Sequence, residues 1–196
     1  MNGWKRLNRL AFCTLLMLVV LAAGTGKSLA AVQSEDVSLG GIYPGMTYEE
    51  VTACYGAPTR EERGYAQLVH RVIFYGDTVE IGFCGNKVLY VTVTADNGWR
   101  TPQGLHAGMG LDEALRICGE DYKSYPSPKQ RRADQKDSPF FEMRWQGIRY
   151  VYHCEAPDGV YSYEPGDTTW GINLIAKDDK AAQVEAVTIR AYPPEH

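Results

Sequence analysis

A short glycine-bounded motif occurs twice in the chain. Gly41-Ile42-Tyr43-Pro44-Gly45-Met46 returns as Gly104-Leu105-His106-Ala107-Gly108-Met109. The correspondence continues through Glu50 and Glu113, then Gly56 and Gly119, at one offset of about sixty residues, the scale of a supersecondary unit. Each copy reads as glycine entry, short helix, glycine exit and then strands. The expected fold is therefore α+β: two tandem repeats of a short helix followed by an antiparallel β-meander, joined into one continuous antiparallel sheet with the helices packed on one sheet face. The first repeat is placed at 41–96, a linker at 97–103 and the second repeat at 104–192. A polar, mobile lead-in is expected over 31–40.

Local punctuation supports the two helices. Thr47-Tyr48-Glu49-Glu50 reads as a capping box, with Met46 and Val51 at the positions of a hydrophobic staple. Gly56 can end this helix in a left-handed conformation, and Pro58 forbids its continuation. Val51, Cys54 and Tyr55 form its expected buried stripe. In the second copy Gly110 replaces the threonine, a weaker cap. Leu111, Ala114, Leu115 and Cys118 then fall at i, i+3, i+4 and i+7. Strands are expected at Ala66–Tyr75, Val79–Cys84 and Val88–Thr94, joined by hairpin turns at Gly76-Asp77 and Gly85-Asn86. After a polar loop over Glu120–Pro139, which carries Lys129, Arg131 and Arg132, strands resume at Phe140–Trp145, Ile148–Cys154, Trp170–Ala176 and Val184–Ala191.

The N-terminus reads as a targeting segment. Lys5, Arg6 and Arg9 precede an apolar run, Leu10 to Ala23, of roughly fourteen residues, short for a bilayer span. Ser28-Leu29-Ala30 offers a signal-peptidase site, so 1–30 is expected to be a signal peptide cleaved near Ala30, and the protein to be secreted or held in the periplasm or cell envelope. The formal net charge is −4; residues 1–30 hold four basic residues and no acid, which leaves −8 for the rest. Such an acidic chain is a poor partner for nucleic acid. After cleavage no stable membrane span is expected.

Cys54, Cys84, Cys118 and Cys154 lie beyond this segment. An even count in an exported chain suggests two disulfides. Of three possible pairings, Cys54–Cys84 and Cys118–Cys154 each join the helix of one copy to a strand of the same copy. A four-cysteine zinc site is disfavoured because no Cys-x-x-Cys pair is present.

The motif set Gly45-Met46-Thr47, Glu50, Val51, Gly56 and Pro58, with Gly108-Met109, Glu113, Ala114 and Gly119 in the second copy, resembles the SmpA/OmlA (BamE-like) small-lipoprotein family. The module of that family also appears in tandem in the β-lactamase inhibitor protein-like fold. The resemblance implies a non-enzymatic envelope component, lipid-anchored in the first family and an exported binder of partner proteins in the second. Cys13 follows bulky Phe12 and precedes the apolar run, the reverse of a lipidation site, so the inhibitor-like arrangement fits better.

No nucleophile elbow, His-Glu-x-x-His or phosphate-cradling loop is present. His153-Cys154-Glu155 resembles a ligand or nucleophile cluster, but strand alternation puts His153 and Cys154 on opposite faces. Glu49-Glu50 and Asp112-Glu113 are explained by helix capping and the helix dipole. No catalytic residue, metal or cofactor is expected. The chain holds 13 tyrosines and 4 tryptophans. Tyr150 and Tyr152 share one strand face; if that face is open, Tyr150, Tyr152, Tyr161, Tyr163 and Trp170 form an aromatic contact surface for an extracytoplasmic protein. The expected function is non-catalytic protein binding, inhibitor-like in character. An envelope-assembly component is the alternative, and a small secreted hydrolase a lesser one.

Overall fold

The same stitching anchors both glycine-bounded motifs. Gly45 and Gly108 take positive φ (95° and 89°), which turns the backbone so that each N–H meets a backbone carbonyl far along the chain. Gly45 N–H donates to Val88 O at 2.8 Å and Gly108 N–H to Val184 O at 2.7 Å. Val88 N–H returns a bond to Met46 O, and Val184 N–H to Met109 O. Both methionines are buried. A helix follows each anchor: α1, Tyr48–Tyr55, and α2, Leu111–Cys118. Their first residues donate to the ends of hairpins, Tyr48 N–H to Asn86 O and Leu111 N–H to Ala182 O.

A computed structural model gives the fold of residues 31–66, 68–125, 147–157 and 168–192. Its strands are β1 (Arg60–Ala66), β2 (Val69–Tyr75), β3 (Val79–Cys84), β4 (Lys87–Val93), β5 (Lys123–Tyr125), β6 (Ile148–Glu155), β7 (Thr169–Ala176) and β8 (Ala186–Tyr192). They form one antiparallel sheet of 8 strands in the order β1-β2-β3-β4-β8-β7-β6-β5. Ala31–His196 groups into one compact unit.

This corrects the expected architecture of two tandem helix-plus-meander repeats. A single continuous sheet dominates the described residues, with two short α-helices of 8 residues each. The physical cause lies at its centre. In β4, Val88–Val93 are all buried, and in β8 Ala186–Ile189 are too. A strand apolar on both faces needs a neighbour on each side. These two strands meet through Tyr90↔Arg190, Val91↔Ile189, Thr92↔Thr188 and Val93↔Val187.

The lead-in also differs from expectation. Ser34–Asp36 form a turn of 3-10 helix, and Val32, Val37 and Leu39 are buried. The segment 1–30 expected to be a signal peptide, the strand expected at Phe140–Trp145 and the basic positions Lys129, Arg131 and Arg132 lie outside the described residues. No described helix is long and apolar enough to cross a membrane.

One sheet face carries the helices. It presents Ile81, Phe83, Val91, Ile189, Ile172 and Leu174, all fully buried, and Tyr48 of α1 packs 5.9 Å from Phe83. The other face carries a buried polar row across four strands. The Tyr90 hydroxyl donates to Glu80, Thr92 and Thr188 hydroxyls meet at 2.9 Å, and Tyr192 OH donates to Asn173 Oδ1 at 2.7 Å. Gly82 makes room for this row: a Cβ there would lie 2.1 Å from the Tyr90 ring. Buried polar groups so paired fix register, since a slip of one residue would leave each of them unsatisfied.

Candidate partner-binding surface

The register of β6 decides the question left open by alternation. Tyr152 pairs with Ile172 and Tyr150 with Leu174, so both tyrosines point toward the helices. They are 1% and 7% exposed, and Trp170 is 3% exposed. Tyr122 covers both rings at 5.6 and 5.3 Å, and Tyr152 OH donates to Gly119 O at 3.2 Å. Burial pushes the pKa of both phenols above its ordinary value. Tyr150, Tyr152 and Trp170 are therefore core residues, which corrects the expected contact surface. Val151, on the opposite face, is buried as well. Tyr161 and Tyr163 lie outside the described residues.

The cysteines differ from expectation too. Cys54, Cys84, Cys118 and Cys154 are all free thiols, so neither the Cys54–Cys84 nor the Cys118–Cys154 bridge is formed. Burial, with the Asp36 carboxylate adding to it, pushes the Cys118 thiol up to about 12 and the Cys154 thiol up to about 11. Both are held as neutral, unreactive groups. Cys54 is exposed rather than part of a buried stripe. His153 is exposed, its ring 4.8 Å from Tyr192; burial, and then the charge of Lys123, lower its pKa. Among the described residues no three His, Cys, Asp or Glu groups converge as metal ligands.

The structure gathers a different set of aromatic residues. Tyr55 closes α1, Tyr75 closes β2 on the helix side, and Trp99 stands in the segment after β4. Tyr55 stacks on Trp99 at 4.4 Å and 27°. Tyr75 lies 5.7 Å from Tyr55 and 6.5 Å from Trp99. Each hydroxyl is anchored: Tyr55 OH donates to Gly40 O at 2.6 Å and Tyr75 OH to Gly56 O at 2.9 Å. Gly40 lies flat on the indole, where a Cβ would come within 2.6 Å of Trp99. The Trp99 backbone N–H donates to Asn97 Oδ1 at 3.1 Å, and Asn97 Nδ2 donates to Thr78 Oγ1 at 2.8 Å. Tyr55 remains 39% exposed, and Tyr75 and Trp99 are half-buried.

The cluster offers ring surface already fixed in place, so little side-chain entropy remains to be lost on binding. The Arg100–Asp96 pair at 3.0 Å borders the same segment. Sequence reasoning missed this set because its members come from three separate segments. The local pattern puts Tyr55 in a buried stripe and Trp99 in a linker. The one usable signal was Tyr75, which alternation places beside Ile73 on the helix side.

No protein-family model matches the chain, and no curated protein matches it. Among solved structures, the chain is similar to an extracellular protein containing a SCP domain from Bacillus anthracis str. Ames. The identity is 14%, the TM-score 0.42, and the match covers 74% of this chain and 43% of the other. The chain thus spans less than half of that protein, and a likeness this loose carries no argument about fold or activity.

Proposed function

We propose that this chain is a non-catalytic, extracytoplasmic protein-binding module that engages its partner through the Tyr55–Tyr75–Trp99 cluster. One observation carries the reading: three neighbouring aromatic rings stay partly open to solvent while both tyrosine hydroxyls are tied to backbone carbonyls. Tyr and Trp dominate binding hot spots because they bury large area at low entropy cost. Export rests on the basic, apolar and small-residue order of positions 1–30.

The test is capture from an envelope fraction with the full chain as bait, compared among three variants. Tyr55→Ala and Trp99→Ala should each reduce the captured protein by about tenfold or more. Tyr125→Ala, exposed on the far edge of the sheet, should leave capture unchanged. Thermal melts of each variant separate a lost contact from a lost fold. Equal capture by wild type, Tyr55→Ala and Trp99→Ala would sink the assignment.

A further inference from the structure

The two outer edges of the sheet are finished differently. At one edge, β1 carries Arg60, Glu61, Glu62 and Arg63, and its register shifts between Arg63 and Ala66. Charge and irregularity are the devices that keep an edge strand from pairing with another chain. At the other edge, β6 pairs with β7 along its whole length, Ile148 to Glu155. Its outer side is paired by β5 only at Arg149, Tyr150 and Val151. Among the described residues, no strand borders Tyr152–Glu155 on that side.

The cause is visible in the chain leaving α2. It turns at Gly119 (φ 87°), takes the Tyr152 hydroxyl on the Gly119 carbonyl, and lays Tyr122 over Tyr150 and Tyr152. It enters the sheet only at Lys123. The direction of the free backbone groups also follows. The Tyr152 carbonyl points toward β7, 2.4 Å from where a Cβ on Gly171 would stand. In an antiparallel ladder, successive residues turn their N–H and C=O to opposite sides. His153 and Glu155 therefore aim theirs outward, and both residues are exposed.

We propose that this half-edge of β6 is a dimerisation edge, filled by Tyr152–Glu155 of a second copy of the chain, with His153 opposite Glu155 of the partner subunit. A two-fold axis at Cys154 produces this register. It matches the outward N–H and C=O of His153 and Glu155 with those of the partner's Glu155 and the partner's His153, giving four backbone hydrogen bonds. It also sets an imidazole, which can donate a hydrogen bond, against a carboxylate twice. A slip of one residue would set outward groups against inward ones. A slip of two would place His153 against the partner's His153. The incoming carboxylate also meets Lys123, which is exposed beside His153. Cys154 stands opposite the partner's Cys154 at the axis.

Sedimentation velocity on the full chain tests this. The wild type should show a concentration-dependent dimer. Glu155→Lys should raise the dissociation constant about tenfold, because it removes two imidazole–carboxylate contacts and brings an ammonium group up to each Lys123. The double variant His153→Glu with Glu155→Lys should restore it. A wild type that stays monomeric at every concentration overturns the proposal. So does a dimer indifferent to Glu155→Lys, or one that the double variant fails to restore.

Discussion

The two helices are equal in length and joined to the sheet by the same hydrogen bonds, yet different forces hold them. In α1 only Val51 is buried, while the N-terminus is fully capped. Thr47 N–H donates to Glu50 Oε2 at 2.7 Å, and Glu50 N–H donates to Thr47 Oγ1 at 3.2 Å. Asn86 Nδ2 donates to Glu49 Oε2 at 2.8 Å, which ties the same turn to the β3–β4 hairpin. In α2 the cap is Gly110, which has no side chain to offer, while Leu111, Ala114 and Cys118 are buried. One helix is held by its end and the other by its face. The end-held helix keeps its outer residues free, and Tyr55 at its last position joins the exposed aromatic cluster.

The largest expected effect separates the two faces. Leu111→Ala should cost about 2–5 kcal/mol by transfer and cavity terms. Val51→Ala should cost roughly 2 kcal/mol, since fewer buried carbons are removed. Denaturant unfolding of both variants measures the difference, and equal losses would break the contrast.

The caps come next. Thr47→Ala should cost about 1 kcal/mol, while Gly110→Ser should gain a few tenths, about the usual difference between glycine and serine at this position. A serine fits there, because a Cβ on Gly110 would meet only Glu113 Cβ, at 3.9 Å. If Gly110→Ser destabilises the protein, the second helix start is more constrained than its geometry indicates.

The smallest effect is in pH. The hydrogen bond from Asn86 is the leading cause that lowers the Glu49 pKa. A carboxyl with a depressed folded pKa contributes fully above its unfolded value of about 4.3, and that contribution fades as pH falls through the folded value. Thermal melts of wild type and Glu49→Gln should therefore differ slightly at neutral pH and converge in acid. A constant gap across the acid range would assign the effect to packing instead of charge.

Much of the local structure was legible. The capping box at Thr47 and Glu50 formed as read, because its donors and acceptors lie within one turn. The strand at Val79–Cys84 formed with its read boundaries, since alternation and flanking glycines are local signals. The edges were not legible. Arg60–Ala66 is rich in charge and Lys123–Tyr125 is three exposed residues, and neither needs an apolar stripe to pair with a neighbour. The free thiols, the Tyr55 cluster and the polar row from Glu80 to Asn173 likewise depend on residues far apart in the chain.

The sequence by itself determined where the chain turns, where helices begin and end, and which residues of a strand point the same way. Only the tertiary structure decided which of those ways is inward. Period-two alternation makes Tyr150 and Tyr152 companions, but it is symmetric between the faces. The choice fell to α2 and Tyr122, packed from one side, and to the β4–β8 ladder that makes one sheet of eight strands. Burial is a property of what lies across from a residue, and that is set by partners the local pattern does not contain.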